Sequence, residues 1–276
     1  MKKSIPLVFA LALTAAASPS RAEPLFLGSV AMQVPIEMHD RLTPLAAYLS
    51  EKIGQRVEFR GAPDLKTAVE DLGNGRTQIA YLTPAAYIDA HQKYDVIPLV
   101  APLTSGKPFL TLSIVVPQNS AATKPSDLRG KRFAFGDERA LLQRAVVAAS
   151  GISLAEFSHY GFLKHYDNII KAVRNGDFDA GIVTDRNVPN ARAAGLRVIH
   201  ESPQLPSYVF AVAPHMPLPL FQKLQRVMIM MRADNVADNA VLQALDPAFD
   251  GFAVVHDMYF DSARKLIEPY AKPSAK

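Results

Sequence analysis

The chain has neither cysteine nor tryptophan among its 276 residues. The missing cysteine excludes disulfides, thiolate nucleophiles, cysteine-bound metals and a lipid anchor on an N-terminal cysteine. Beyond the first twenty-odd positions no run approaches 18 uninterrupted apolar residues, so no later segment reads as membrane-spanning. A Gly-x-Ser-x-Gly elbow, a phosphate loop and a His-Glu-x-x-His pair are all absent, which removes the motifs that would mark an enzyme. The seven histidines are scattered; His159 and His165, six apart, do not have the spacing of a metal site, and no cofactor is expected. No basic cluster calls for nucleic acid as a partner.

The N-terminus does carry a signal. Lys2 and Lys3 precede an apolar stretch over 5–17, and Ser20 and Ala22 stand at −3 and −1 before Glu23, the order of an export signal cleaved after Ala22. The expectation is a periplasmic, water-soluble mature chain. The formal charge of +4 then shrinks: Lys2, Lys3 and Arg21 leave with the signal and no acidic residue does, so the mature net is +1.

The rest alternates short β-rich runs with helical ones. Strands are predicted over 25–30, 56–60, 78–82 and 96–101. Helices are predicted over 39–53, where Leu42, Leu45, Ala46 and Leu49 share one face, and over 64–72. Gly54 and Gly73 stand where helix C-terminal glycines belong, and Thr83-Pro84 opens a further helix as cap and first residue. A long strand over 111–116 leads into a second alternating set: strands 132–135, 158–162, 180–183 and 196–199, with helices 140–150 and 167–175. Another long strand, 208–213, leads into a helical C-terminal third. This is the pattern of an α/β protein with two lobes, each a mainly parallel sheet flanked by helices. Lobe 1 is expected over 23–112 plus 209–276 and lobe 2 over 113–208. Ligands of open α/β sheets bind beyond the carboxyl ends of the strands, and two such lobes face each other across a cleft that closes by hinge motion.

Five stretches in order resemble one family. They are Thr43-Pro44-Leu45-Ala46-Ala47-Tyr48-Leu49 before Gly54, the run GRTQIAYLTPAAY from Gly75 to Tyr87, Ser126-Asp127-Leu128-Arg129-Gly130-Lys131, the run YDNIIKAVRNGDFDA from Tyr166 to Ala180, and Leu196-Arg197-Val198-Ile199 followed by Ser202 and Pro206. Together they resemble the phosphate, phosphite and phosphonate periplasmic binding proteins of ABC importers over nearly all of 25–267. The resemblance implies a type II periplasmic-binding fold, a small-molecule ligand, a permease as partner and a monomer. A periplasmic sensor docking on a histidine-kinase ectodomain shares this fold and is the alternative.

That family holds its oxyanion at a Ser-Thr-Ser-Gly turn opening a helix in lobe 2, where hydroxyls and unpaired N–H groups surround an anion. Here the place reads Gly136-Asp137-Glu138-Arg139-Ala140-Leu141, without a hydroxyl. Asp137 as helix cap would occupy the N–H groups that the anion needs, so a phosphonate bound in the family manner is not expected. The candidate ligand residues are Thr83 and Tyr87 in the Pro-Ala-Ala-Tyr segment, Glu138 and Arg139 at the altered turn, and His165 and Tyr166 where the family has a histidine. Asp185 and Met32, each just beyond a predicted strand, complete the set. Asp179 matches the family's Gly-x-x-Asp aspartate.

Overall fold

The computed structural model describes residues 23–30, 35–138 and 141–271. The export signal, Met32 and Arg139 therefore lie outside the described residues. The chain begins with β1 (Leu25–Ser29), α1 (Pro35–Ile53), β2 (Val57–Gly61), α2 (Leu65–Gly73), β3 (Ile79–Leu82), α3 (Pro84–Tyr94) and β4 (Ile97–Thr104). The two-residue β5 (Phe109–Leu110) then leads to β6 (Leu112–Pro117), β7 (Arg132–Phe135), α4 (Leu141–Ala149), β8 (His159–Phe162), α5 (Tyr166–Arg174), β9 (Ala180–Thr184), α6 (Val188–Ala193) and β10 (Leu196–Glu201). The return runs through β11 (Leu205–Pro206) and β12 (Val209–Val212) to α7 (Leu218–Ile229), α8 (Val236–Leu245), β13 (Phe249–Ala253) and α9 (Asp261–Ala271).

The strands form two main sheets, ordered β13-β4-β12-β3-β1-β2 and β10-β6-β9-β7-β8. In the first, β1 pairs parallel with both β2 and β3, while β12 lies antiparallel between β3 and β4. All four strands of the first alternating set thus point one way. In the second sheet β7, β8 and β9 are parallel, and β6 runs against β9 and β10. The exceptions to the common direction are β12, β13 and β6. Two of these, β6 and β12, are the strands expected to cross between the sheets, and a strand arriving from the other sheet enters from the opposite end. A small antiparallel ribbon, β5 with β11, joins the two sheets.

One core cluster packs α1, α7 and α8 on one face of the first sheet through Leu42, Leu45, Leu49, Leu224, Met228 and Leu242. The stripe read from the sequence of α1 is the buried one, as Leu42, Leu45, Ala46 and Leu49 are all in the core. The other cluster continues from α2 and α3 into the second sheet and its helices. Gly54 follows α1 at φ +70°, the left-handed position that favours glycine. Gly73 has another reason to be glycine: a Cβ there would lie 2.2 Å from the Tyr94 ring. β13 was not expected in the helical C-terminal third; its phenylalanines pair onto β4 at the sheet edge.

Candidate functional site

The carboxyl ends of β1, β3 and β9 open on a single cleft of about 830 Å3 between the two sheets. Val30 follows β1, Tyr81 lies on β3, and Thr184, Asp185 and Arg186 end β9. Tyr208 reaches the same edge from β12, because that strand runs the other way. Arg41 on α1 and the segment 243–248 at the end of α8 complete the wall with Tyr166.

Arg186 is the centre of this arrangement. Its side chain is 14% exposed. Its Nη2 donates to Ser207 Oγ at 3.1 Å, beside the ribbon, and its Nη1 lies 3.5 Å from Asp246 Oδ2. The guanidinium also sits over the Phe249 ring, 4.8 Å from the centroid. Arg41 approaches the same Asp246 oxygen at 3.6 Å and donates from Nε to the Leu245 carbonyl. One carboxylate therefore stands between two cations from opposite sides of the cleft. Burial opposes the charge on Arg186, but Tyr81 and Asp246 hold it protonated.

Three tyrosines surround it. Tyr208 and Tyr166 place their hydroxyls 3.3 Å apart, and Gln143 donates to Tyr166 at 3.3 Å. Burial pushes both phenols above their ordinary pKa, so each is a neutral hydroxyl at physiological pH. The Tyr81 ring stacks on Phe210 at 4.7 Å. Its hydroxyl is buried beside the Arg186 guanidinium and makes no hydrogen bond of good geometry.

At the turn between β7 and α4, Gln143 occupies the Gly136 N–H. Its Oε1 accepts the Gly136 N–H at 2.8 Å, and the residue is 3% exposed. The space left beside it, among Thr83, Gln143, Tyr166 and Tyr208, is about 30 Å3, too little for a phosphonate. The cap expected at Asp137 abuts residues 139–140, outside the described residues.

The sequence-derived candidates divide. Tyr166 and Asp185 line the cleft. Asp185 is also bound into the crossing segment, accepting from Arg186 N–H at 2.9 Å and from Thr111 N–H at 3.3 Å. Thr83 caps α3, accepting from Ala86 N–H at 3.2 Å, and borders the small space only. Tyr87 is fully buried; its hydroxyl donates to Asp257 at 3.0 Å and its ring packs on Phe260. It faces the α3–α9 contact, not the cleft, because the first turn of α3 turns that position inward. Glu138 is exposed on a separate groove bordered by α2, α3 and α4. His165 precedes α5 with Nδ1 buried and unpartnered, and it does not line the cleft. Met32 and Arg139 fall outside the described residues. Asp179 is structural: it binds Arg132 through both its carboxylate oxygens and the Arg132 N–H. The residues missed from sequence are Tyr81, Arg186, Tyr208, Asp246, Arg41 and Gln143. Among the described residues no group of three or more histidines or acids is placed to hold a metal. None of their helices is long and apolar enough to cross a membrane.

With this geometry in hand, comparison with known proteins is decisive for the family. The family model described as ABC transporter, phosphonate, periplasmic substrate-binding protein matches residues 27–260. The chain belongs to this family. Among solved structures, this phosphonate-family chain is similar to PhnD1 from Prochlorococcus marinus, solved in complex with methylphosphonate. The TM-score is 0.81 at 16% identity, covering 91% of this chain and 99% of that one. A Xanthomonas citri protein solved with ATP bound gives 0.73 at 19% identity, covering 90% and 99%. The alkanesulfonate-binding protein SsuA from Xanthomonas axonopodis pv. citri, bound to MOPS, gives 0.63 at 17% identity, covering 89% and 92%. At these identities the likeness speaks for the fold, a type II periplasmic-binding architecture. The family membership makes the chain a periplasmic substrate-binding protein of an ABC transporter.

Proposed function

We propose that this chain delivers a small organic anion or polar solute to an ABC permease, holding it in the cleft around Arg186 and not at the β7–α4 turn. The observation that carries this reading is the Gly136–Gln143 bond. A backbone N–H at such a turn binds an anion only if it is unoccupied, and here a buried carboxamide from the same lobe takes it at 2.8 Å. The open volume lies instead beside Arg186. Lobe boundaries near 112 and 209, a few residues from the β5–β11 ribbon, make the ribbon the hinge. Export with cleavage after Ala22 completes the proposal, and the intact mass of the exported chain tests it.

The absence of tryptophan provides the test of the site. Asn190 is exposed and lines the cleft, so Asn190→Trp installs the chain's one tryptophan at its wall, to be excited selectively near the red edge of the tyrosine band. Solutes found by calorimetric screening of the mature chain are expected to shift the emission of this variant. A solute that binds with micromolar affinity yet leaves the emission unchanged would place the site elsewhere.

A further inference from the structure

We infer that the solute is an organic monoanion, a carboxylate or sulfonate on an apolar body, gripped between the Tyr81 hydroxyl of one lobe and the Arg186 guanidinium of the other. This rests on the cleft reading above and names the chemistry that the cleft selects.

The argument starts from an acceptor that is missing. Tyr81 is 3% exposed, and among the described residues its hydroxyl is the one tyrosine oxygen buried without a partner. The other buried tyrosine hydroxyls are engaged, Tyr166 with Gln143 and Tyr208, Tyr87 with Asp257, Tyr259 with Pro108 and Ser207, while the unpaired hydroxyls of Thr77 and Ser113 do not line the cleft. A buried polar group left unpaired calls for an explanation. Burial raises the Tyr81 pKa, so the group keeps its proton and must donate it. The Arg186 guanidinium lies close enough to donate towards its oxygen, but a guanidinium carries only donors and cannot accept that proton. What Tyr81 lacks is an oxygen acceptor from outside.

Arg186 has capacity for the same oxygen. Its approach to Asp246, at 3.5 Å, is longer than the roughly 2.7–2.9 Å of a charge-assisted hydrogen bond. Ser207 takes one further N–H, so donors of the five-membered fork remain for an incoming oxyanion. Tyr81 and Arg186 thus converge from β3 and from the end of β9, and a ligand oxygen between them would draw the lobes together.

The charge count sets the class. The cleft is lined by two cations, Arg41 and Arg186, and two carboxylates, Asp185 and Asp246. A monoanion adds one charge at the cationic point. The second charge of a phosphate or phosphonate dianion would face Asp246 across a partly desolvated space, where repulsion is strong. The rest of the wall is mixed: Val30, Met38, Leu245 and Pro247 are apolar, and Asn190 and Gln243 are polar. The volume far exceeds an inorganic oxyanion and matches an organic body.

The test uses the mature chain with benzoate and hexane-1-sulfonate as monoanions and phosphate and methylphosphonate as dianions, at a pH above the second dianion pKa. The expected result is that at least one monoanion raises the melting temperature and the dianions do not. Tyr81→Phe is expected to weaken that monoanion severalfold. Without ligand it should melt close to the wild-type temperature, since no acceptor holds the hydroxyl proton. Arg186→Gln is expected to weaken binding more than about tenfold. If Arg186→Gln fails to fold, Tyr81→Phe carries the test alone. Tighter binding of a dianion, or no monoanion binding at all, overturns the class. A monoanion that shifts the emission of Asn190→Trp but is indifferent to Tyr81→Phe overturns the anchor and leaves the cleft reading standing.

Discussion

Substitutions at Gln143 separate packing from hydrogen bonding at the β7–α4 turn. The side chain is buried, accepts the Gly136 N–H at 2.8 Å and donates to Tyr166 at 3.3 Å. Gln143→Met keeps nearly the same volume and removes both bonds. The Gly136 N–H is then buried without an acceptor, which costs about 1–3 kcal/mol, and the net loss of the second bond adds about 0.5–1.5 kcal/mol. For a chain of this size each kcal/mol lowers the melting temperature by about 2–4 °C, so a fall of roughly 3–18 °C is expected. Gln143→Ala loses the same bonds and the packing as well, but it enlarges the adjoining space of about 30 Å3. A water molecule can enter there and accept the N–H. The two variants are therefore expected to melt close together.

Thermal unfolding by circular dichroism of wild type and both variants decides the matter. If Gln143→Met melts within about 1 °C of wild type, a shift too small for a lost buried bond, packing alone holds the turn and the plug argument fails. A second arm adds methylphosphonate to the wild-type protein. No change is expected, because the N–H that would receive the anion is occupied. A ligand present at about 100 times its dissociation constant stabilises by about 2.7 kcal/mol, so a clear rise in wild type would show that the turn remains accessible.

Two further outcomes are expected. Tyr87→Phe should leave solute affinity unchanged and cost about 1 kcal/mol of stability by chemical denaturation, since Asp257 retains its pairing with Arg264; weakened binding would return Tyr87 to the site. The Arg132 side chain holds the Asp179 carboxyl below its ordinary value. A depressed folded value means that the contribution is complete above the unfolded pKa, about 3.9, and is lost as the pH falls through the folded one. Asp179→Asn should thus flatten the acid limb of stability below that pH while leaving its slope near neutrality unchanged. The effect is small because the pair is well hydrated, at 43% and 36% exposure. An acid limb identical to wild type would refute the assignment.

The fold was legible because its signals are local. The sequence reading of 132–135 coincides with β7, and the helix expected over 140–150 contains α4, Leu141–Ala149. A stripe such as Leu42, Leu45 and Leu49 declares a helix face whatever packs on it. The ribbon of β5 and β11 escaped because two-residue strands have no periodicity to read. β13 escaped because Phe249-Asp250-Gly251-Phe252-Ala253 carries an Asp and a Gly that a strand pattern penalises. Its place is fixed by an unfilled edge at β4, which is a tertiary fact.

The site was less legible for a related reason. Asp185 stands out in the sequence because it follows a recognisable strand, and Arg186 is next to it in the chain. Yet an Arg after a strand is ordinarily a solvated residue. What makes Arg186 different is Asp246, 60 positions away in sequence, and the rings of Tyr208 and Phe249 on the returning segment. Tyr81 is hidden by the opposite effect: as a β-branched or aromatic residue would be at the centre of a strand, it reads as core, and its burial agrees. Only the lack of an acceptor for its hydroxyl separates it from Phe210, on which it stacks. Tyr87 is the reverse case: its position in a recognised segment suggests a ligand contact, while its hydroxyl is paired with Asp257. In each case the residue type was visible in the sequence and the partner was not. A tyrosine's role in this cleft is decided by whether the fold has already supplied its hydrogen-bond partner.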